Sequence, residues 1–180
     1  GVAGLYARQG SHYPIVAEGG HTGFSPETPE QVQVLQFLLS KFGRVSNERL
    51  LSGPGIVNIY GALAQIRNTA AKEQDAAIIA AKGVSAEDEL CKNTMDLFFE
   101  VLGQVAGDLA LTLGTHDGIF IAGGICQRYV EPLKKSRFRY GFSNKGRHSQ
   151  LLEKIPTWLI THPNAGLLGA SNYARLQLIK

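Results

Sequence analysis

The chain has 180 residues, 44% of them hydrophobic and 8% aromatic, enough to bury the core of one ordinary domain, which excludes a disordered chain. Its 21 glycines, 7 prolines and 18% charged residues describe a compact, turn-rich domain without low complexity. Eighteen basic against 15 acidic residues leave a net charge of +3, too small and too dispersed to recruit nucleic acid or an anionic membrane.

The opening Gly1-Val2-Ala3-Gly4-Leu5-Tyr6 has neither Met nor a basic-then-apolar leader and reads as the interior of a longer sequence, so a fragment is expected. Gly1 to Ala7 and His12 to Val16 flank Arg8-Gln9-Gly10-Ser11 as a hairpin or two successive strands. A loop through Glu18-Gly19-Gly20-His21 leads to Thr28-Pro29-Glu30-Gln31. There Thr28 caps a helix, Pro29 takes its first position and Gln31 reaches back to the cap. Val32, Leu35, Leu38, Leu39 and Phe42 follow at helical spacing, and Gly43 ends the run. Ser46 with Asn47-Glu48-Arg49 predicts a short helical turn, Leu51-Ser52-Gly53-Pro54-Gly55 a tight loop, and roughly Val57 to Arg67 a further helix.

Asn68 to Gly83 reads as a linker plus a surface helix around Ala76 to Lys82. Ser85-Ala86-Glu87-Asp88 then repeats the capping pattern and opens the longest helix, with Leu90, Leu97, Phe98, Val101, Leu102, Val105 and Leu109 on one apolar face. Gly103, Gly107 and Ala110 form a small-residue stripe on it. Each glycine costs about 1 kcal/mol relative to Ala in a helix interior, so the stripe predicts close packing against another helix or a sheet. The most apolar part, Val101 to Leu113, is interrupted by Gln104 and Asp108 and falls short of the roughly 20 apolar residues of a membrane span, so a soluble chain is expected. Gly118 to Ile125 is an apolar strand ending on Gly123-Gly124, Ile155 to Thr161 a second buried strand, and Gly166 to Leu178 a final helix. The alternation indicates an α/β domain with a largely parallel or mixed sheet.

Glu18-Gly19-Gly20-His21 places a carboxylate and an imidazole three residues apart on a sharply turning loop. A carboxylate accepts from neighbouring hydroxyls and a neutral imidazole both donates and accepts, so the pair suits a polyol. A glycine turn with solvated side chains accounts for the tetrapeptide equally well. Glu48, at the start of its helical turn, is a further carboxylate favoured by the helix dipole. Ser52 to Gly55 reads either as a place where a ligand or hinge needs close backbone approach or as a bare turn. Gly123-Gly124-Ile125 lies at the carboxyl end of a strand, where α/β sheets bind ligands, and the two glycines leave room for a flat base or ribose. His116 beside Asp117 and His162 beside Pro163 read as polar turn and strand-end residues. Lys134 to Arg147, basic and interleaved with Phe138, Tyr140 and Phe142, reads as a solvated segment anchored by its aromatics rather than a nucleic-acid surface. Cys91 and Cys126 have neither metal-site spacing nor disulfide density, which points to a reducing, cytoplasmic setting and argues against zinc.

In this order the segments resemble the bacterial glucokinase family of the hexokinase and actin-like ATPase superfamily. Glu18-Gly19-Gly20-His21 with Phe24 and Pro26 resembles its sugar loop, and Glu48 through Tyr60 resembles its most recognisable stretch. Leu113-Gly114-Thr115, Phe120 to Ile125 with Arg128, and Pro163 to Gly169 follow. The resemblance implies the C-terminal large domain (residues 1–180) of a two-domain sugar kinase. Its fold is the actin-like ATPase (ribonuclease H-like) class, a mixed sheet with flanking helices. Glu18, His21 and Glu48 are then expected to contact glucose, and Gly123, Gly124 and Ile125 the adenosine of ATP. Mg2+ is the implied metal cofactor, and a homodimer is left open. No catalytic residue is assigned within the chain: the general-base Asp and the glycine-rich phosphate loops are expected upstream. A non-catalytic sugar-binding regulator or scaffold on this fold, and a kinase for another hexose, are the competing readings.

Overall fold

Val2–Arg8 (β1) and Ser11–Ala17 (β2) pair antiparallel, with Arg8 opposite Ser11, in the computed structural model of the chain, which describes residues 1–178; residues 179 and 180 of the expected domain lie outside it. The intervening Gln9 and Gly10 both have positive φ (51° and 76°), the two-residue turn whose twist matches that of a hairpin.

Helix α1 spans Pro29–Phe42. Thr28 caps it by accepting from the Gln31 amide, and Gly43 ends it at φ 69°. Gln31 reaches past the cap and accepts from the Glu27 amide at 2.7 Å. The buried side chains are Gln31, Val34 and Leu38, whereas Val32 and Leu39 are exposed. The core-facing stripe is therefore rotated from the expected one, because the fully buried amide of Gln31 is bonded within the fold.

A 3-10 turn at Asn47–Arg49 precedes α2 (Gly53–Ile66). The expected tight loop at Ser52 to Gly55 is instead the cap and first turn of this helix, with the Ser52 hydroxyl accepting from the Gly55 amide at 3.0 Å. The close approach there is internal, since a Cβ on Gly55 would stand 2.2 Å from the Leu50 carbonyl oxygen. Helix α3 (Ala76–Val84) buries Ile79, Ala80 and Gly83, so it is more than a surface helix. Asp88, rather than Ser85, caps α4 (Glu89–Leu113), accepting from the Cys91 amide at 2.8 Å. Ser85 instead ends α3.

Helix α4 runs through the core, packed on α2, α3 and, most extensively, on α7 (Phe138–Ser143). Its glycine stripe meets α7 backbone to backbone. A Cβ on Gly103 would stand 2.0 Å from the Phe138 carbonyl oxygen, and one on Gly107 2.3 Å from that of Phe142. Gly141 answers from α7, against the Glu100 carbonyl.

Strands β3 (Ile119–Ile121) and β4 (Thr157–Leu159) pair in parallel, so the strands form two separate two-stranded sheets among the described residues. The second strand is not buried throughout: Trp158 is exposed and stacks on exposed Phe120 at 4.9 Å. Between them lie α5 (Gly124–Arg128), α6 (Val130–Lys135), α7 and α8 (Ser149–Lys154), and α9 (Ala165–Leu178) follows β4. The basic segment is more fixed than a solvated stretch. Phe138 and Phe142 are buried, Arg137 pairs with Glu100, and Arg139 donates to the carbonyls of Leu152, Glu153 and Ile155. No helix among the described residues is long and apolar enough to cross a membrane.

Candidate functional site

The loop after β2 tightens at once into a 3-10 turn, Gly19–His21, in which the His21 amide donates to the Glu18 carbonyl at 2.9 Å. Gly19 is required by proximity, because a Cβ there would stand 2.9 Å from the Val2 side chain. The following residues lie along the approach to the Asn47–Arg49 turn. Phe24 N donates to Val45 O, Asn47 N donates to Thr22 O, and Gly23 bridges Ser46. The Arg44 guanidinium donates to the His21 carbonyl at 2.7 Å.

This pairing brings together side chains 27 positions apart: His21 Nδ1 lies 3.2 Å from Glu48 Oε2. Both side chains are more than half exposed (62% and 55%), so the contact adds little stability and leaves their polar atoms open to a ligand. Glu18 heads the same turn, exposed. Its carboxylate makes no capping bond and has no part in the His21–Glu48 contact. Of the three predicted sugar-binding residues, two therefore touch and the third is their neighbour on the loop.

The segment beyond this loop is strapped to the core. Lys145, whose side chain is only 6% exposed, bridges Glu27 at 2.6 Å and Asp108 of α4 at 2.8 Å. Gln31 donates to Gln104 of α4 at 2.7 Å. No local spacing points to these partners, which lie more than seventy positions away from Glu27 and Gln31.

At the second predicted locus, Gly123 adopts φ 125° and ψ 150°, a conformation essentially reserved for glycine. Apart from the adjoining backbone, no atom of the described residues lies within 4 Å of a Cβ built on Gly123 or Gly124, so neither is needed for packing and both leave open surface. Ile125 is half-buried in α5. The Gln127 amide ties this helix to the end of β4 by donating to the carbonyls of Ile160 (3.0 Å) and His162 (3.3 Å).

Neither cysteine offers a nucleophile. Burial pushes the Cys91 thiol up to about 12, with Asp88 adding to the shift, and pushes the Cys126 thiol up to about 11. Among the described residues no cluster of three or more His, Cys, Asp or Glu could hold a metal. A groove of about 700 Å3 between the first turn of α2 and the start of α3, bordered by Gly53, Pro54, Val57 and Ala76, touches the Ser52 to Gly55 segment but contains none of the residues expected to hold glucose or ATP.

The family model described as Glucokinase matches residues 1–177. The glucokinase of Xanthomonas campestris pv. campestris (strain B100) is 44% identical over 174 residues, which is 97% of this chain and 52% of that protein. The glucokinase of Stenotrophomonas maltophilia (strain K279a) is 42% identical with the same coverage. Among solved structures, a glucokinase from an Antarctic psychrotroph superposes with a TM-score of 0.85 at 38% identity, over 93% of this chain and 52% of that one. A glucokinase from Balamuthia mandrillaris, solved in complex with glucose, shares the fold with a TM-score of 0.73 at 23% identity, over 88% and 46%. The ATPase-like α/β class expected from the sequence is thus the class observed, although among the described residues its strands stand as two two-stranded sheets rather than as one mixed sheet. The chain spans about half the length of the curated relatives it matches. With the family model matching residues 1–177 and these relatives aligned over nearly all of it, the chain belongs to the glucokinase family.

Proposed function

We propose that these residues are the sugar- and adenosine-binding part of an ATP-dependent glucokinase of the hexokinase and actin-like ATPase superfamily, which transfers the γ-phosphoryl group of Mg-ATP to the 6-hydroxyl of glucose. The observation that carries the reading is the convergence of His21 on Glu48 from two loops, both side chains exposed, with Glu18 on the same turn. Glu18 and Glu48 accept hydrogen bonds from sugar hydroxyls, and His21 donates through one ring nitrogen and accepts through the other. Together they hold the sugar in one orientation, which is what phosphoryl transfer chiefly asks of the protein.

Gly123, Gly124 and Ile125 suit the adenosine of ATP, since the positive φ of Gly123 and the open space around both glycines leave a surface without side chains. Bound ATP supplies the phosphoryl group and Mg2+ neutralises its phosphate charge. No acidic side chain of this chain is assigned to the metal. The general base and phosphate cradle belong, on this reading, to the part of the relatives' length that residues 1–180 do not cover. A cytoplasmic setting also belongs to the proposal, since it keeps the two free thiols reduced.

The test is a coupled assay of the full-length protein with a panel of hexoses. Glu48→Gln and His21→Ala are expected to raise the glucose KM about tenfold or more, the loss of a hydrogen bond to a charged group or of a paired donor. Unchanged KM for glucose in both variants would refute the sugar site. Absence of turnover with every hexose, alongside glucose binding, would favour a regulator.

A further inference from the structure

Asn47 is the buried member of the turn that carries Glu48. It is 7% exposed, while Glu48 and Arg49 beside it are exposed. Its backbone amide already ties the turn to Thr22 O at 3.0 Å, so its side chain is not needed for that link. The side-chain Nδ2 nevertheless donates to the Thr22 hydroxyl at 2.9 Å, and that hydroxyl in turn donates to the Gly19 carbonyl at 2.7 Å. Asn47 Oδ1 is buried and has no hydrogen-bond partner among the described residues. An orphaned carbonyl in the interior is unfavourable, and an apolar residue of similar size would avoid it, so the amide is kept for what Nδ2 does.

We infer that Asn47 and Thr22 are positioning residues: the relay from the Asn47 amide through the Thr22 hydroxyl to the Gly19 carbonyl locks the Gly19–His21 turn onto the Glu48 turn and so sets the His21 ring against the Glu48 carboxylate. The inference rests on the sugar-site reading above and adds two residues that do not themselves touch the sugar. The relay spans both loops. The Thr22 hydroxyl both accepts from Asn47 and donates to Gly19, so a residue without Oγ at position 22 breaks both links at once.

The experiment uses the full-length protein with Thr22→Val, Asn47→Ala, their double variant, Thr22→Ser and His21→Ala. Amide hydrogen exchange over residues 19–24 is measured without ligand, and KM for glucose and ATP, kcat and melting temperature are measured for each. Asn47→Ala, which loses one link, and Thr22→Val, which loses both, are expected to speed exchange there and to raise the glucose KM about fivefold or more, with the ATP KM unchanged. The double variant is expected to be no worse than Thr22→Val alone, because both break the same relay. Thr22→Ser keeps the oxygen and retains the parent KM. Unchanged exchange in both single variants overturns the relay. Faster exchange with an unchanged glucose KM, where His21→Ala does raise it, overturns the positioning role. An unchanged glucose KM in His21→Ala overturns the site reading itself. Parallel rises in both KM values with a fall in melting temperature would show a purely structural role.

Discussion

Replacing Gly103 by Ala tests how the frame beneath the site is built. The added Cβ would stand 2.0 Å from the Phe138 carbonyl oxygen, 2.8 Å from its carbonyl carbon and 3.0 Å from the Phe142 amide nitrogen. Ordinary contact begins at 3.4 Å, so α7 must retreat by about 1.4 Å to make room. All three neighbours are backbone atoms, so no rotamer change relieves the clash. Helix α7 holds Phe138 and Phe142 in the core and leads directly to Lys145, which straps Glu27. Overpacking of this kind costs about 1–3 kcal/mol, here at the upper end, and the gain in helix propensity returns about 1 kcal/mol. The net expectation is a loss of about 2 kcal/mol. Gly61→Ala in α2 is the counterpart, because the nearest atom to its new Cβ is a Phe37 ring carbon at 3.8 Å. With the propensity gain unopposed, it should stabilise by about 0.5–1 kcal/mol. Thermal or denaturant midpoints of the full-length protein decide the matter. A Gly103→Ala protein melting at or above the parent, or a shift of the same sign in both variants, would refute the packing argument.

Gly124→Val should raise the KM for ATP much more than that for glucose, because the space around Gly124 is open and a branched side chain would occupy it; equal effects in a steady-state assay would mean that the loop does not serve adenosine. Asp88→Ala should cost about 1 kcal/mol at neutral pH through loss of the α4 cap. The Cys91 amide holds the Asp88 carboxyl below its ordinary value of 3.8, so the cap's charged contribution is present above that value and fades as pH falls through the lowered one. Melting curves against pH should therefore show parent and variant converging below about pH 4, and a constant gap would contradict the charged cap. Purified residues 1–180 with Mg-ATP and glucose should show no measurable turnover, since a positioned base alone contributes about 10² to 10⁴ in rate. Turnover of about 1–100 per second would place base and phosphate cradle within these residues.

What was legible in the sequence was local. Thr28 and Pro29 start α1, Gly43 stops it, and the stripe of Gly103, Gly107 and Ala110 does mark a close helix contact. The caps rest on backbone chemistry within a few residues of themselves, and the stripe shows in the spacing of α4 alone, although the helix it meets lies 35 positions on, from Gly103 to Phe138. Expectation and structure part where distant partners decide. Gln31 reads as polar, yet it is buried because Gln104, 73 positions on, receives its amide, and this turned the buried face of α1 toward Val34. Ser52 reads as part of a tight loop but caps α2, and Ser85 reads as part of the α4 cap but closes α3, because Asp88 takes the next start. At the site, the residue types on the loop suggested a polyol, but the meeting of His21 with Glu48 depends on the Thr22–Asn47 and Gly23–Ser46 pairings, which no spacing in the sequence encodes.

Whether His21 and Glu48, with Glu18 beside them, hold a glucose molecule is decided by a crystal structure of the full-length protein grown with glucose. Glucose hydroxyl oxygens are expected within about 3.2 Å of His21 Nε2 and of the Glu48 and Glu18 carboxylates, with His21 Nδ1 still against Glu48. Glucose bound elsewhere on the protein, with the His21–Glu48 contact at 3.2 Å unchanged and facing solvent, would contradict that expectation.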